Sequence, residues 1–172
     1  LYVGISKYPP AQAKIAYEML RAAGVPCLIS QYRYNMFDRT IEKENLSLAA
    51  KNGSGFIAFS PLAQGLLTDK YLNGIPENSR AARPCGFLQP SQVTPEKVEI
   101  IRQLNEVAHH RGQTLAEMAL AWTLKDKRIT SVIVGASSVK QLDDNLHALD
   151  NLEFTFDELA EIDQILLKLV ET

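Results

Sequence analysis

Cysteine is scarce: only two occur in 172 residues, Cys27 in an apolar run and Cys85 among prolines and glycines. With neither CxxC spacing nor the density of a disulfide framework, they exclude a disulfide-stapled scaffold and read as reduced thiols of a cytoplasmic protein. An excess of either charge is missing as well, since 18 Lys and Arg against 20 Asp and Glu leave a formal net charge of −2. That balance gives nucleic acid or an anionic membrane no long-range attraction, so an anionic ligand must be held by a local site. No apolar run approaches the roughly 20 residues of a spanning helix, and no basic segment followed by an apolar one opens the chain. Neither a nucleic-acid partner nor membrane insertion is expected. The three histidines, His109, His110 and His147, match no zinc spacing, so no metal site is expected either.

What is present is an ordinary globular composition, 46% hydrophobic and 22% charged, in a chain long enough to bury one sizeable core. It begins Leu1-Tyr2-Val3-Gly4-Ile5-Ser6, a strand-like run with no initiator Met and no preceding cap, and reads as a chain entered partway through a fold. Pro9-Pro10 then precedes an apolar stripe at helical spacing, Ala13, Ile15, Ala16, Met19, Leu20 and Ala23, which Gly24 stops. Further strands are predicted over 26–31, 55–59 and 129–134, and a helix over 41–51. Thr94-Pro95-Glu96 starts another helix that ends near Gly112, with an N-cap, a proline and an acid in order. Thr114 with Glu117, and Thr155 with Glu158, form capping boxes for two more helices, and 141–149 is a further one. Between them, the segment from Gly65 to about Val93 holds Gly74, Pro76, Pro84, Gly86 and Pro90 without a sustained period. Loops of that length inside a compact domain are usually lids or binding loops, or else disordered.

Strands alternating with helices imply parallel βαβ units. An open doubly wound sheet would usually announce a dinucleotide with GxGxxG after its first strand, and that motif is absent, so a barrel is preferred. In either architecture a ligand sits at the C-terminal ends of the strands. The polar residues there are Ser6 and Lys7, Gln31, the run Ser60-Pro61-Leu62-Ala63-Gln64-Gly65, and Gly135-Ala136-Ser137. Hydroxyls, a carboxamide, a cation and glycines make an inventory suited to phosphates and amides. Gln31 could pair with a carboxamide such as nicotinamide, or simply satisfy a neighbouring carbonyl. Phe59 could stack on an aromatic ring or belong to the core. Residues 135–141 leave a strand and open a helix, a setting that suits a phosphate, although Ser138 and Gln141 also fit a capping box that needs no ligand. Lys70 and Arg80 are loop cations of the kind that are usually solvated, but a Gly-rich loop after a strand end can fold over an anion as a clasp.

In order and spacing, Gly4-Ile5-Ser6, Gln31-Tyr32-Arg33-Tyr34-Asn35, the run from Phe59 to Thr68, and Val134-Gly135-Ala136-Ser137 with Gln141-Leu142-Asp143-Asp144-Asn145 closely resemble the second half of the aldo-keto reductases. Lys70-Tyr71, Gly74-Ile75-Pro76 and Ser79-Arg80 narrow the resemblance to the branch with potassium-channel β subunits and bacterial glyceraldehyde-3-phosphate reductase-like enzymes. The resemblance implies an α/β fold, the C-terminal half of a (β/α)8 TIM barrel: strands five to eight plus the C-terminal helix, over residues 1–172, with a cofactor-clasp loop at 66–93. It implies NADP as cofactor and reduction of a small aldehyde or ketone to an alcohol. Ser6 and Gln31 would hold the nicotinamide carboxamide, with Lys7 next to them in the cofactor site, and Phe59 would stack on the ring. Ser60, Leu62 and Gly65 would line the pyrophosphate, with Pro61, Ala63 and Gln64 of the same run also in the cofactor site and Lys70 and Arg80 adding positive charge. Ser137 and Gln141 would meet the 2′-phosphate, with Gly135 ahead of them in the cofactor site, and Asp144 and Asn145 the adenine end. Lys7 stands where many members have Asn or Arg, and Gln141 where other branches have Arg. Nothing in the chain maps onto the family's catalytic Asp, Tyr, Lys and His, so no catalytic residue is assigned and the missing N-terminal half of the barrel is an expected partner. Two other readings remain: a non-enzymatic NADP-binding module like a channel β subunit, and a half barrel whose open edges pair into a homo-oligomer.

Overall fold

The computed structural model describes residues 1–83 and 86–169, so Cys85 lies outside the described residues. Its elements are β1 (Val3–Ser6), α1 (Pro10–Ala22), β2 (Cys27–Arg33), α2 (Asn45–Lys51), β3 (Gly55–Phe59), α3 (Pro95–His110), α4 (Leu115–Leu124), β4 (Ser131–Ile133), α5 (Val139–Leu146) and α6 (Phe156–Leu167), joined in places by 3₁₀ turns. The four strands form one parallel sheet in the order β1-β2-β3-β4. The chain divides into two compact units, Leu1–Pro61 with Thr123–Val134, and Leu62–Trp122 with Gly135–Thr172.

The architecture expected from sequence, half of a (β/α)8 barrel, is corrected to an open α/β sheet of four parallel strands. A barrel closes only when its outermost strands find each other. Here, among the described residues, β1 pairs only with β2 and β4 only with β3. Both outer strands are correspondingly thinly covered, with Gly4, Ser6, Ser131 and Ile133 exposed. A sequential parallel sheet needs no GxGxxG, so the absence of that motif never discriminated between barrel and open sheet.

In the first unit the sheet buries alternate residues, as the pleat requires: Phe56 and Ala58 of β3 are inaccessible, while Gly55, Ile57 and Phe59 are half-buried. Ile5, Cys27, and Ala13 and Tyr17 of α1 form one apolar cluster. Inside the same unit, Tyr17 OH lies 2.5 Å from Ser30 Oγ, which is 3.0 Å from Ser54 Oγ. Burial raises the Tyr17 phenol above its usual range, so it stays neutral and able to donate. Tyr32 stacks on Phe56 with centroids 5.2 Å apart. The helix predicted over 41–51 is broken. A 3₁₀ turn covers Thr40–Glu42, and Glu44 leaves helical geometry at φ −140° before α2 begins. Glu42 is held instead by the buried Tyr34 hydroxyl at 2.7 Å and by Arg39 at 3.0 Å, a tertiary demand that outweighs local propensity. Gly4 exists for closeness: a Cβ there would lie 2.9 Å from the Ile29 carbonyl oxygen. Gly4→Ala is therefore expected to lower stability by about 1–3 kcal/mol through loss of β1 pairing. An unchanged denaturant midpoint would contradict this.

In the second unit α3 packs against α6 and against the 3₁₀ turn Asp69–Tyr71. Ile101, Leu104, Leu115, Met118, Leu120 and Ile162 are fully buried or nearly so, each contributing roughly 1.5–3 kcal/mol on transfer from water. Both capping boxes form. The Thr114 and Thr155 N–H groups donate to Glu117 and Glu158 at 2.8 and 2.6 Å, and each threonine hydroxyl accepts the return bond at 3.2 Å. Arg111, at the end of α3, reaches the first turn of α6. Its Nη1 lies 2.7 Å from the Glu158 carboxylate, its Nη2 donates to the Asn151 and Glu153 carbonyls, and its guanidinium sits 3.7 Å over the Phe154 ring.

Candidate functional site

The residues singled out from sequence fall into two sets, one in each unit. In the first unit, Ser6 and Gln31 are register partners at the ends of β1 and β2. The Gln31 carbonyl accepts from Ser6 Oγ at 3.2 Å and from the Lys7 N–H at 3.0 Å. The Gln31 side-chain carboxamide makes no hydrogen bond to another described residue and is half-buried, so both its donor and its acceptor remain available. Phe59 ends β3 with its ring half-buried, and Ser60 and Pro61 follow it. Lys7 and Ser60 both adopt left-handed backbone, at φ 60° and 54°. The carbonyls at these two corners are tied down. The Tyr8 carbonyl accepts from Tyr32 OH at 3.0 Å and Asn45 Nδ2 at 3.2 Å, and the Ser60 carbonyl accepts from Asn35 Nδ2 at 2.9 Å.

In the second unit, Leu62 has near-helical backbone (φ −92°, ψ 16°), whereas Ala63, Gln64 and Gly65 are all left-handed at φ 46°, 62° and 100°. A right-to-left succession of this kind turns consecutive N–H groups toward one side, a concavity that suits an anion. Gly65 N–H closes the turn on the Leu62 carbonyl at 2.8 Å, and Thr68 Oγ1 donates to the Gly65 carbonyl at 2.7 Å. The loop after it is anchored by buried Leu66, Leu67, Tyr71, Ser79, Ala81 and Leu88, while Lys70 and Arg80 stay exposed. Arg80 reaches the start of the last β-to-α connection: its Nη2 lies 4.0 Å from where a Cβ on Gly135 would stand.

The N-terminus of α5 is partly self-satisfied. Ser138 caps it, its hydroxyl accepting from Gln141 N–H at 3.2 Å, but the Gln141 side chain does not complete a reciprocal box. Its Oε1 instead accepts from Ser137 N–H at 2.7 Å and Ser137 Oγ at 3.0 Å, so a carboxamide oxygen occupies the donors a phosphate would use. Lys140 pairs with Asp144 at 2.8 Å, and that hydrogen bond raises the Lys140 pKa. Asn145 is buried, and its Nδ2 has no hydrogen-bond partner among the described residues. Tyr71 OH and Ser79 Oγ share that condition, each the sequence neighbour of a loop cation.

Sequence reading passed over Asn35, Tyr32 and Asn45, which hold the corners rather than face a ligand. Asn35 lies within a motif already singled out, but nothing in residue type alone marks it as buried. Among the described residues no helix is long and apolar enough to cross a membrane, and no group of three His, Cys, Asp or Glu could hold a metal ion.

Comparison with known proteins gives a consistent result. Residues 1–167 match the Aldo/keto reductase family. The chain is 51% identical over 168 residues to L-glyceraldehyde 3-phosphate reductase of Escherichia coli O157:H7, covering 95% of this chain and 49% of that protein. The Escherichia coli K12 protein of the same name is 50% identical over the same length. A Schizosaccharomyces pombe protein named for a voltage-gated potassium channel subunit beta is 38% identical over 140 residues, 79% of this chain and 40% of that protein. The chain thus spans about half the length of these Escherichia coli relatives.

Proposed function

This chain belongs to the aldo/keto reductase family, and from that premise we propose that it forms the NADP-binding part of an oxidoreductase that reduces aldehydes or ketones to alcohols. One observation carries the reading. Among the described residues, the non-glycine residues in left-handed backbone are Lys7, Ser60, Ala63 and Gln64, and all four belong to the set the family resemblance assigns to the dinucleotide. Left-handed backbone costs on the order of 1–2 kcal/mol per non-glycine residue and persists where the surroundings enforce it, which is characteristically at ligand sites. The unpartnered Gln31 carboxamide and the orphaned Asn145 Nδ2 fit the same ligand, as polar groups left for an amide and a purine to meet.

When bound, the reduced dinucleotide supplies the hydride that a carbonyl carbon accepts, while the carbonyl oxygen takes up a proton. Gln31 and Ser6 orient the carboxamide, and Phe59 covers one face of the ring against water. Lys70, Arg80 and the N–H groups of Ala63 and Gln64 in the Leu62–Gly65 turn offset phosphate charge. Ser137 and Gln141 take the 2′-phosphate, Gln141 first turning its carboxamide off the Ser137 N–H. Proton delivery falls to residues outside this set. We place the protein in the cytoplasm on its low cysteine content.

The Escherichia coli relatives are named for a small phosphorylated aldehyde, so L-glyceraldehyde 3-phosphate is the first carbonyl compound to assay. The channel-subunit name of the Schizosaccharomyces pombe relative favours a second reading, a bound dinucleotide without turnover. NADPH binding followed by NADPH consumption on adding the aldehyde is the expected result. Binding without consumption of any aldehyde would favour the second reading, and absence of binding would sink both.

A further inference from the structure

We propose that Asn35 is a positioning residue of the dinucleotide site, holding the Phe59–Ser60–Pro61 corner in its strained conformation through the Ser60 carbonyl. The inference rests on the reading of that corner as part of the cofactor site. Asn35 is completely buried, and each of its amide atoms is engaged. Oδ1 accepts from the Phe37 and Asp38 N–H groups, both at 3.0 Å, an Asx turn that fixes the side chain to its own loop. The backbone of Asn35 exchanges hydrogen bonds with Asp38 at 3.2 and 3.1 Å, closing the same loop. That leaves Nδ2, which donates across to the Ser60 carbonyl at 2.9 Å. One residue earlier, Tyr34 N–H donates to the Phe59 carbonyl at 3.4 Å. Segment 34–38 is therefore a rigid bracket attached to two successive carbonyls at the exit of β3.

Ser60 is a serine at φ 54°, where only glycine rests without cost. Without the bracket, the peptide after Phe59 can relax toward right-handed backbone, which would rotate the Ser60 hydroxyl and the Phe59 ring away from their present directions. Asn35 touches no ligand in this account. It acts through Ser60, so its removal should weaken dinucleotide binding only while residue 60 resists the left-handed state.

That dependence gives the test. The full chain is titrated with NADPH by fluorescence in six forms: unsubstituted, Asn35→Ser, Asn35→Asp, Ser60→Gly and the two double variants, each first checked by far-UV circular dichroism and thermal unfolding. Asn35→Ser keeps a turn-forming oxygen but is too short to reach Ser60; Asn35→Asp, which keeps the shape and the acceptor while losing the amide donor, serves as the second variant. The expected result is a Kd raised about tenfold by either change at residue 35 when Ser60 is present, falling to under about threefold when glycine, which needs no bracket, stands at 60. Folded variants that bind NADPH as the unsubstituted chain does would overturn the inference. So would an equal loss in both backgrounds, the mark of a merely structural role. Failure of the unsubstituted chain to bind NADPH would instead remove the proposed function, and this inference with it.

Discussion

Arg111→Ala is expected to destabilise the second unit by about 2–4 kcal/mol. Only 2% of the Arg111 side chain is exposed, and its guanidinium serves a carboxylate, two carbonyls and an aromatic ring at once. Truncation leaves those acceptors without donors in a place water reaches poorly, which costs more than the pair itself contributes. Glu158 is 27% exposed, so part of its loss is recovered by solvent, which sets the upper end of the range. Arg111→Lys keeps the charge but not the fork, and should lie between. Burial alone would raise the Glu158 pKa, but hydrogen bonds from Thr155 N–H and Arg111 outweigh it and leave the pKa lowered. A carboxylate whose folded pKa is lowered stabilises the fold fully above its unfolded pKa of about 4.3, and that contribution disappears as pH falls through the folded value. Urea unfolding should therefore show stability declining below about pH 4 in the unsubstituted chain and a flatter decline in Arg111→Ala. Equal slopes in the two proteins would mean that the pair does not carry the acid sensitivity.

Arg80→Ala is expected to weaken NADPH binding by about 10- to 100-fold, corresponding to the loss of one or two charge-assisted hydrogen bonds to phosphate. Arg80 is exposed, so the substitution should leave thermal unfolding nearly unchanged. The guanidinium is already beside this segment, with Nη2 4.0 Å from where a Cβ on Gly135 would stand. Arg80→Lys should be intermediate, since a point charge replaces a planar fork. Added salt should narrow the difference between the unsubstituted chain and the alanine variant, because the removed interaction is electrostatic and partly open to solvent. An affinity for NADPH unaltered by Arg80→Ala would assign the loop cation to solvent.

Elements written in local chemistry were legible in the sequence. The Thr114–Glu117 and Thr155–Glu158 boxes and the Thr94 cap need only neighbours within one turn, and each forms as read. Tertiary demands were not legible. Tyr34 draws Glu42 out of a helical run, and Thr130 Oγ1 accepts from Phe56 N–H at 3.0 Å, so β4 starts two residues later than the apolar run suggests. The barrel reading went wrong for the same reason at larger scale, because strand number and closure are properties of distant pairings that no local pattern records. At the candidate site the residue types were legible, but not the backbone beneath them. Glycine would have advertised positive φ at residues 60, 63 and 64, whereas Ser60, Ala63 and Gln64 conceal it. Likewise, Gln141 was readable both as a cap and as a phosphate ligand, and its bond to Ser137 N–H suits neither description alone.

Hydrogen exchange of the full chain with and without saturating NADPH tests the central claim most directly. Occupancy of the proposed site predicts slowed exchange confined to 6–7, 31, 59–65, 70–80 and 135–145, with the α3 and α6 amides little changed. Unchanged exchange in those segments, or protection gathered elsewhere, would contradict the assignment of these residues to a dinucleotide.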